Sequence, residues 1–302
     1  MAILATADAC IAIQGITGRE ASMVTGHALR YGTQIAAGVT PGKGGGTVSG
    51  VPVYDSLSEA MDQHPINTAI VYVPPAFALD AGIEAVEAGV RLLLVMTERV
   101  PLHDVSRLLA FARGRGVRVV GPNSVGILSP GPRVKLGAIG GDNPARCFVP
   151  GRVGILSRSG GMTAECAWMV KRAGLGVSTA VSIGGDPLVG FPPAELLEEF
   201  EADPETEAVL LWGEPGTTHE EEVAARLAQG RFTKPLIAYV GGAFVDEMPE
   251  GTVFGHAAAF IHQGRGKVSH KRAALRAAGA HVAETFDEVI PLLREALRVS
   301  LG

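Results

Sequence analysis

Cysteine is scarce in this chain: Cys10, Cys147 and Cys166 are its three thiols in 302 residues. They lie far apart with no C-x-x-C spacing, which excludes a disulfide framework and a cysteine-rich metal site. Aromatics make up only 5% and charged residues 19%. Positive charge is not in excess, since 26 Lys and Arg against 31 Asp and Glu leave a net charge of −5. A general nucleic-acid binder carries a basic footprint, so that class of partner is excluded. No apolar run approaches the roughly 18 residues that span a bilayer, so no membrane partner is expected. The opening stretch MAILATADACIAIQG has no basic segment before its apolar run. It reads as the approach to a strand rather than as a signal peptide, and the expected location is cytoplasmic.

Glycine and aliphatic residues are plentiful, with 40 Gly and 47% hydrophobic residues. That balance suits tightly packed α/β layers, and at about 150 residues per domain the length suits two of them. Short aliphatic runs alternate with amphipathic stretches. Strands are expected at Cys10–Gln14, Gln34–Val39, Thr68–Val73, Arg91–Met96 and Arg118–Val120. Helices are expected between them, at Arg19–Tyr31, from Ser56 or Ser58 through Met61, at Ala78–Ala88 and at Leu102–Arg113. Near-continuous apolar strands separated by helices imply a parallel sheet covered on both faces. A Gly- and Pro-rich stretch then reads as an ordered crossing, after which the alternation restarts at Arg152–Leu156 and runs to a terminal helix at Phe286–Leu297. The expectation is two doubly wound α/β domains, 1–125 and 151–302, joined by 126–150.

In open α/β sheets ligands bind beyond the carboxyl ends of the strands. In the first domain Gly15–Gly18, Thr40–Gly46, Thr97-Glu98 and Gly121-Pro122-Asn123 fall there. Glycines let backbone approach a ligand, and a helix N-terminus favours phosphate, so a nucleotide-like ligand is implied. The motif is loose. Gln14–Gly18 is not GxGxxG, and Gly38–Lys43 is not a phosphate loop of the Walker type. Tight turns that serve only packing are the structural alternative.

In the second domain Ser157-Arg158-Ser159-Gly160-Gly161 follows a strand and opens a helix. Two hydroxyls and free N–H groups at the positive end of a helix make an anion site, the alternative being an ordinary Ser N-cap. Gly184–Pro187 and Gly213–Gly216 sit on the same edge. So does Phe254-Gly255-His256-Ala257-Ala258-Ala259. An imidazole can take a phosphoryl group on one nitrogen while a carboxylate, here Glu214, holds the other N–H. The other seven histidines read as surface or helical residues.

The ordered set QGITG, AGVTPGKGGG, YVPPAF, MTE, GPNSVG, SRSGG, IGGDP, DPETEAVLLWGEPG and FGHAAA resembles the α subunit of succinyl-CoA synthetase. The likeness runs from about Ile3 to about Leu297 and places the chain near the nucleoside-diphosphate-forming acyl-CoA synthetases. It implies a Rossmann-like CoA-binding domain followed by a flavodoxin-like ligase domain. By that match Thr17, Gly18, Arg19, Glu20, Lys43, Met96, Thr97 and Glu98 would contact CoA. His256 would be the phosphorylated histidine and Glu214 the residue that orients it. Ser157, Ser159 and Gly160 would bind phosphate. ATP or GTP and Mg²⁺ would bind mainly to a partner, an ATP-grasp β subunit, and no metal is expected on this chain. The resemblance also implies an acyl phosphate, phosphoryl relay through His256, and displacement of phosphate by CoA thiolate. The histidine loop would have to move, which Gly255 and Gly264-Arg265-Gly266 would permit.

Departures bear on the acid. The family's common GHAGA is GHAAA here, with Ala258; GEIGG is Gly213-Glu214-Pro215-Gly216-Thr217; TEGIP is Thr97-Glu98-Arg99-Val100-Pro101. SRSGTLTYE becomes SRSGGMTAE, so Gly161 and Ala164 line the expected acyl end and a tyrosine ring is missing. SRSGGM and KRAALRAAGAHVAETFDE are similar to ATP-citrate lyase and citryl-CoA synthetase. Succinate is the first expectation for the small carboxylic acid, and a bulkier or hydroxylated acid such as malate or citrate is the alternative. Two other classes compete, a non-catalytic CoA-binding regulator and a nicotinamide-dependent oxidoreductase. The missing GxGxxG counts against the latter.

Overall fold

The computed structural model describes residues 2–249, 252, 256, 258, 259, 261 and 266–298. The first sheet is built from β1 (Ile11–Gln14), β2 (Ile35–Val39), β3 (Thr47–Val48), β4 (Val51–Tyr54), β5 (Thr68–Val71), β6 (Leu92–Val95) and β7 (Arg118–Val120). Its order is β3-β4-β2-β1-β5-β6-β7. All pairs are parallel except the hairpin of β3 on β4. Helices α1 (Arg19–Tyr31), α2 (Leu57–Gln63), α3 (Ala78–Glu87) and α4 (Leu102–Arg113) fill the crossovers. The strands are buried on both faces, which is why they read as unbroken apolar runs: Ile11 and Ile13 enter one core and Ala12 the other.

The chain reverses direction at β1 in the order of this sheet, and the loop that carries Gly15–Gly18 leaves from there. Gly38 of β2 is what lets that loop lie flat. A β-carbon at position 38 would stand 2.3 Å from Ile16 Cγ2.

The second sheet comprises β8 (Gly126–Ser129), β9 (Val134–Leu136), β10 (Pro150–Ser157), β11 (Val177–Ser182), β12 (Ala208–Gly213), β13 (Leu236–Val240) and β14 (His281–Val282). Its order is β14-β13-β12-β10-β11-β8-β9. β10 to β14 are mutually parallel, and β8 runs antiparallel to β11. Helices α5 (Gly160–Arg172), α6 (Pro193–Ala202), α7 (His219–Ala228), α8 (Val268–Ala277) and α9 (Val289–Ala296) complete it.

Both sheets are α/β and dominated by parallel pairs, as the alternation implies. The stretch read as a crossing contributes two strands to the second sheet. Ile127 and Leu128 of β8 are fully buried, but glycine and proline on either side hide any period in so short a run. Elsewhere the expected elements stand within a few residues of the observed ones. The terminal helix is preceded by a 3-10 turn, Phe286–Glu288.

Candidate active site

Beyond the carboxyl edge of the first sheet lies a cleft of about 1160 Å³. Thr17, Gly18, Glu20, Met96, Thr97 and Glu98 all line it. Gly18 is the N-cap of α1, so that helix presents its positive end to the cleft. Thr17 and Thr40 join two of the loops through their hydroxyls, 3.2 Å apart. Thr97 Oγ1 donates to the Val73 carbonyl at 2.8 Å. Arg19 and Lys43 are exposed and stand outside the lining. The Lys43 and Gly44 amides donate instead to Asp55, at 2.9 and 2.8 Å, which orders the glycine-rich loop. The lining also includes Gln14 and Tyr72, whose Oε1 and hydroxyl are buried without a hydrogen-bond partner. Burial pushes the Tyr72 hydroxyl far above the ordinary phenol range.

The second set gathers on the second sheet. Ser157 ends β10 and Ser159 caps α5, accepting from the Met162 amide at 3.4 Å. The Ser157 hydroxyl accepts from the Ser159 amide at 3.0 Å. Both hydroxyls thus shape the loop, and the N-cap role of Ser159 is present alongside the exposed helix start. Gly160 packs on Val125, a wall of the cleft; a β-carbon there would stand 2.5 Å from Val125 Cγ1. Gly161 faces open space, and Ala164 is half-buried against the second core.

His256 Nδ1 lies 2.7 Å from Glu214 Oε2, with the imidazole side chain 32% exposed and the carboxylate 13%. A carboxylate accepts, so the Nδ1 proton stays there and the lone pair falls on Nε2. That hydrogen bond raises the His256 pKa above its usual 6.5, against the opposing effect of burial. Arg158 lowers it and Asp186 raises it, so both charges reach the ring. Gly185 lies against the ring: a β-carbon there would be 2.6 Å from His256 Cδ2. Phe254, Gly255, Ala257, Gly264 and Arg265 lie outside the described residues.

Some of these neighbours could not be assigned a role from sequence. Asn123 lines the cleft and also donates to Asp186 Oδ1 at 2.9 Å, tying cleft to histidine. GPN and GGDP marked both loops as strand ends, but only folding brings them together. Arg158, between the two serines of the SRSGG turn, is 1% exposed and its Nη1 meets Thr217 Oγ1 at 3.3 Å. Its Nε and Nη2 have no partner among the described residues. His219 is buried at the start of α7, and desolvation lowers its pKa. Among the described residues no cluster of three or more His, Cys, Asp or Glu could hold a metal. None of their helices is long and apolar enough to cross a membrane.

The two sheets, one with a cleft at its carboxyl edge and the other with a carboxylate-held histidine, correspond to the two domains of a CoA ligase subunit. The family described as CoA binding domain matches residues 6–99, and the one described as CoA-ligase matches residues 156–281. A succinate–CoA ligase [ADP-forming] subunit alpha 2 of Archaeoglobus fulgidus is 44% identical over 98% of this chain and 100% of its own. An ADP-forming sulfoacetate-CoA ligase subunit, SauD, of Bilophila wadsworthia is 41% identical over 98% of this chain and 100% of its own. Among solved structures, Methanosaeta concilii ATP citrate lyase in complex with (3S)-citryl-CoA superimposes with a TM-score of 0.90 at 25% identity. It covers 99% of this chain, and this chain spans about half of it, 51%. The chain belongs to the family of nucleoside-diphosphate-forming acid–CoA ligase α subunits.

Proposed function

We propose that this chain is the CoA-binding, phosphohistidine-carrying subunit of a nucleoside-diphosphate-forming acid–CoA ligase, with its CoA half at about 1–125 and its ligase half at about 151–302 together with β8 and β9. The observation that carries the reading is the 2.7 Å contact of Glu214 with His256 Nδ1. It leaves neutral Nε2 as the nucleophile and offers the imidazolium of the phosphorylated ring a counter-charge. Nε2 attacks the terminal phosphorus of a nucleoside triphosphate; the P–N bond forms as the nucleoside diphosphate leaves. The phosphoryl group then passes to the carboxylate of the acid, breaking the P–N bond and giving an acyl phosphate. CoA thiolate attacks the acyl carbon, and inorganic phosphate leaves. All three steps also run in reverse.

In this reading Thr17–Glu20, Lys43 and Met96–Glu98 hold CoA, Lys43 reaching it by a swing of its exposed side chain. Ser157, Ser159 and Gly160 steady phosphate at the N-terminus of α5. The nucleotide, ATP or GTP, and its Mg²⁺ belong to an ATP-grasp partner subunit, and the complex works in the cytoplasm. The test is to incubate chain and partner with γ-labelled ATP and look for acid-labile, base-stable label. Label that survives His256→Asn disproves the assignment.

The acid is open to a second reading because Gly161 faces empty space and Ala164 presents only a methyl group. Beside succinate we place malate, citrate and sulfoacetate, the last on the 41% identical relative. A panel of these acids with the partner subunit ranks them by kcat/KM. A clear preference for succinate removes the second reading.

A further inference from the structure

Behind Glu214 lies a buried ion pair that the reaction itself does not use. Lys271 of α8 is 0% exposed and Glu220, in the first turn of α7, is 1% exposed. Lys271 Nζ donates to Glu220 Oε2, and also to Glu221 Oε2 at 3.0 Å and the Thr217 carbonyl at 3.2 Å. Glu220 Oε1 accepts the backbone N–H of Glu214 at 3.1 Å. Desolvation works against the Glu220 carboxylate, but Lys271 and Arg158 outweigh it and hold its pKa below the usual value. The group is therefore an ionised acceptor.

One ion pair thus grips both ends of the turn 214–217, through the amide of Glu214 and the carbonyl of Thr217. Two features of the turn show that it is shaped to this grip. Gly213 admits the carboxylate, since a β-carbon there would stand 2.7 Å from Glu220 Oε1. Thr217 sits at φ +49°, a left-handed conformation that β-branched residues seldom adopt. It is held there by its carbonyl on Lys271 and its hydroxyl on Arg158. Local strain of this kind persists only where surrounding contacts over-determine it. A buried ion pair is in itself weak support for stability, because desolvation consumes most of the attraction. Its function is better sought in what it holds.

We infer that Glu220 and Lys271 are positioning residues of the phosphohistidine site, fixing the turn 214–217 so that the Glu214 carboxylate meets His256 Nδ1. This rests on the proposed function for its catalytic consequence, but its geometric part stands apart from it.

The test compares two double variants of the full chain. Glu220→Leu with Lys271→Met replaces the pair by apolar side chains and removes the acceptor for the Glu214 amide. Glu220→Gln with Lys271→Met also removes both charges but keeps an amide oxygen in reach of that N–H. The first readout is the titration of His256 followed by NMR with ¹³C-labelled histidine, which needs neither nucleotide nor partner. The expected result is a midpoint that falls toward the usual 6.5 in the Leu/Met variant and falls less in the Gln/Met variant, which keeps the acceptor for the Glu214 amide but loses the Lys271 grip on Thr217. The second readout is histidine phosphorylation with the partner subunit. It should fall about 10- to 100-fold in Leu/Met, by analogy with the loss of the groups that orient metal-ligating histidines, with CoA affinity unchanged. Gln/Met should recover only part of that rate, the remainder being the share held by Lys271 on Thr217.

A folded Leu/Met variant with the wild-type midpoint and rate overturns the inference. If that variant does not fold, amide exchange in the wild-type chain decides: the Glu214 N–H must exchange slowly, and exchange at the rate of an open loop refutes the grip. Label that survives His256→Asn would sink the phosphohistidine reading while leaving the titration and exchange results to judge the grip independently.

Discussion

In the proposed mechanism His256 must be neutral to attack phosphorus, yet its partner Glu214 favours the charged ring. Glu214 raises its pKa above the usual 6.5, and Asp186 adds to this while burial and Arg158 subtract. Phosphorylation is therefore expected to increase with pH through a midpoint above 6.5. In Glu214→Gln that midpoint should move to lower pH while the rate falls, because the phosphorylated imidazolium loses its counter-charge. A pH profile of label incorporation in wild type and variant checks both. Stability has the opposite slope. Because the folded pKa is raised, protonated His256 favours the fold below the unfolded value, and this contribution is lost as pH rises through the folded one. Gly185 gives a second residue-scale expectation. Gly185→Ala places a β-carbon 2.6 Å from His256 Cδ2, so the ring must move off Glu214. Labelling should drop at least about tenfold, an outcome expected of a misplaced catalytic group. An unchanged melting curve would show that the loss is local.

Among the elements, the β1–α1 loop and the start of α5 have different tolerances. The loop lies on Gly38, and a β-carbon there meets fully buried Ile16. Gly38→Ala should weaken CoA binding by lifting the loop, and adding Ile16→Ala should restore part of the affinity; calorimetric titration with CoA measures both. At α5 the Ser159 hydroxyl caps the helix, so Ser159→Ala should cost about 1 kcal/mol in chemical denaturation. These two loops show how far sequence reading reaches. SRSGG was recognisable as a strand-to-helix turn because Ser followed by a helical run is a local capping pattern. The closeness of Gly38 to Ile16 was not recognisable, because residues 22 apart meet only across a parallel strand pair. Glu220 illustrates the same limit. In sequence it is one of three acids at a helix start, which the helix dipole alone accounts for. Its partners Lys271 and the Glu214 amide come from other loops and helices.

At the scale of the whole molecule the two domains meet along several seams, the Arg118–Glu199 ion pair at 2.8 Å among them, and two of these seams bear on the site and on stability. One is the Asn123–Asp186 hydrogen bond beside the candidate active site. The other joins the end of α1 to β9: the Lys135 amide donates to Thr33 Oγ1 at 2.8 Å and Arg133 Nε donates to the Tyr31 carbonyl at 3.0 Å. Lys135 is 1% exposed, and desolvation pushes its pKa down to about 8. Between pH 8 and its ordinary 10.5 the unfolded chain holds this proton more tightly than the folded one. Stability due to Lys135 must therefore rise with pH across that window. Relative to Lys135→Met, the wild-type chain should gain about 2 kcal/mol between pH 7 and pH 10, read from denaturation midpoints at each pH. A constant difference between the two chains would mean that Lys135 keeps its ordinary pKa in this seam.

From the sequence alone came the two α/β domains, the sheet edge proposed to bind ligands, and the histidine and glutamate that meet in the second domain. These are set by local causes: apolar runs that need burial on both faces, glycines at strand ends, and a motif order long enough to match a family. Tertiary structure alone decided that Gly126–Ser129 and Val134–Leu136 join the second sheet, that Asn123 reaches Asp186, and that Lys271 and Glu220 brace the turn carrying Glu214. Each of these is a contact between segments whose own propensities are silent about it. Their partners are chosen by which buried polar groups need acceptors and charges once the two cores have closed.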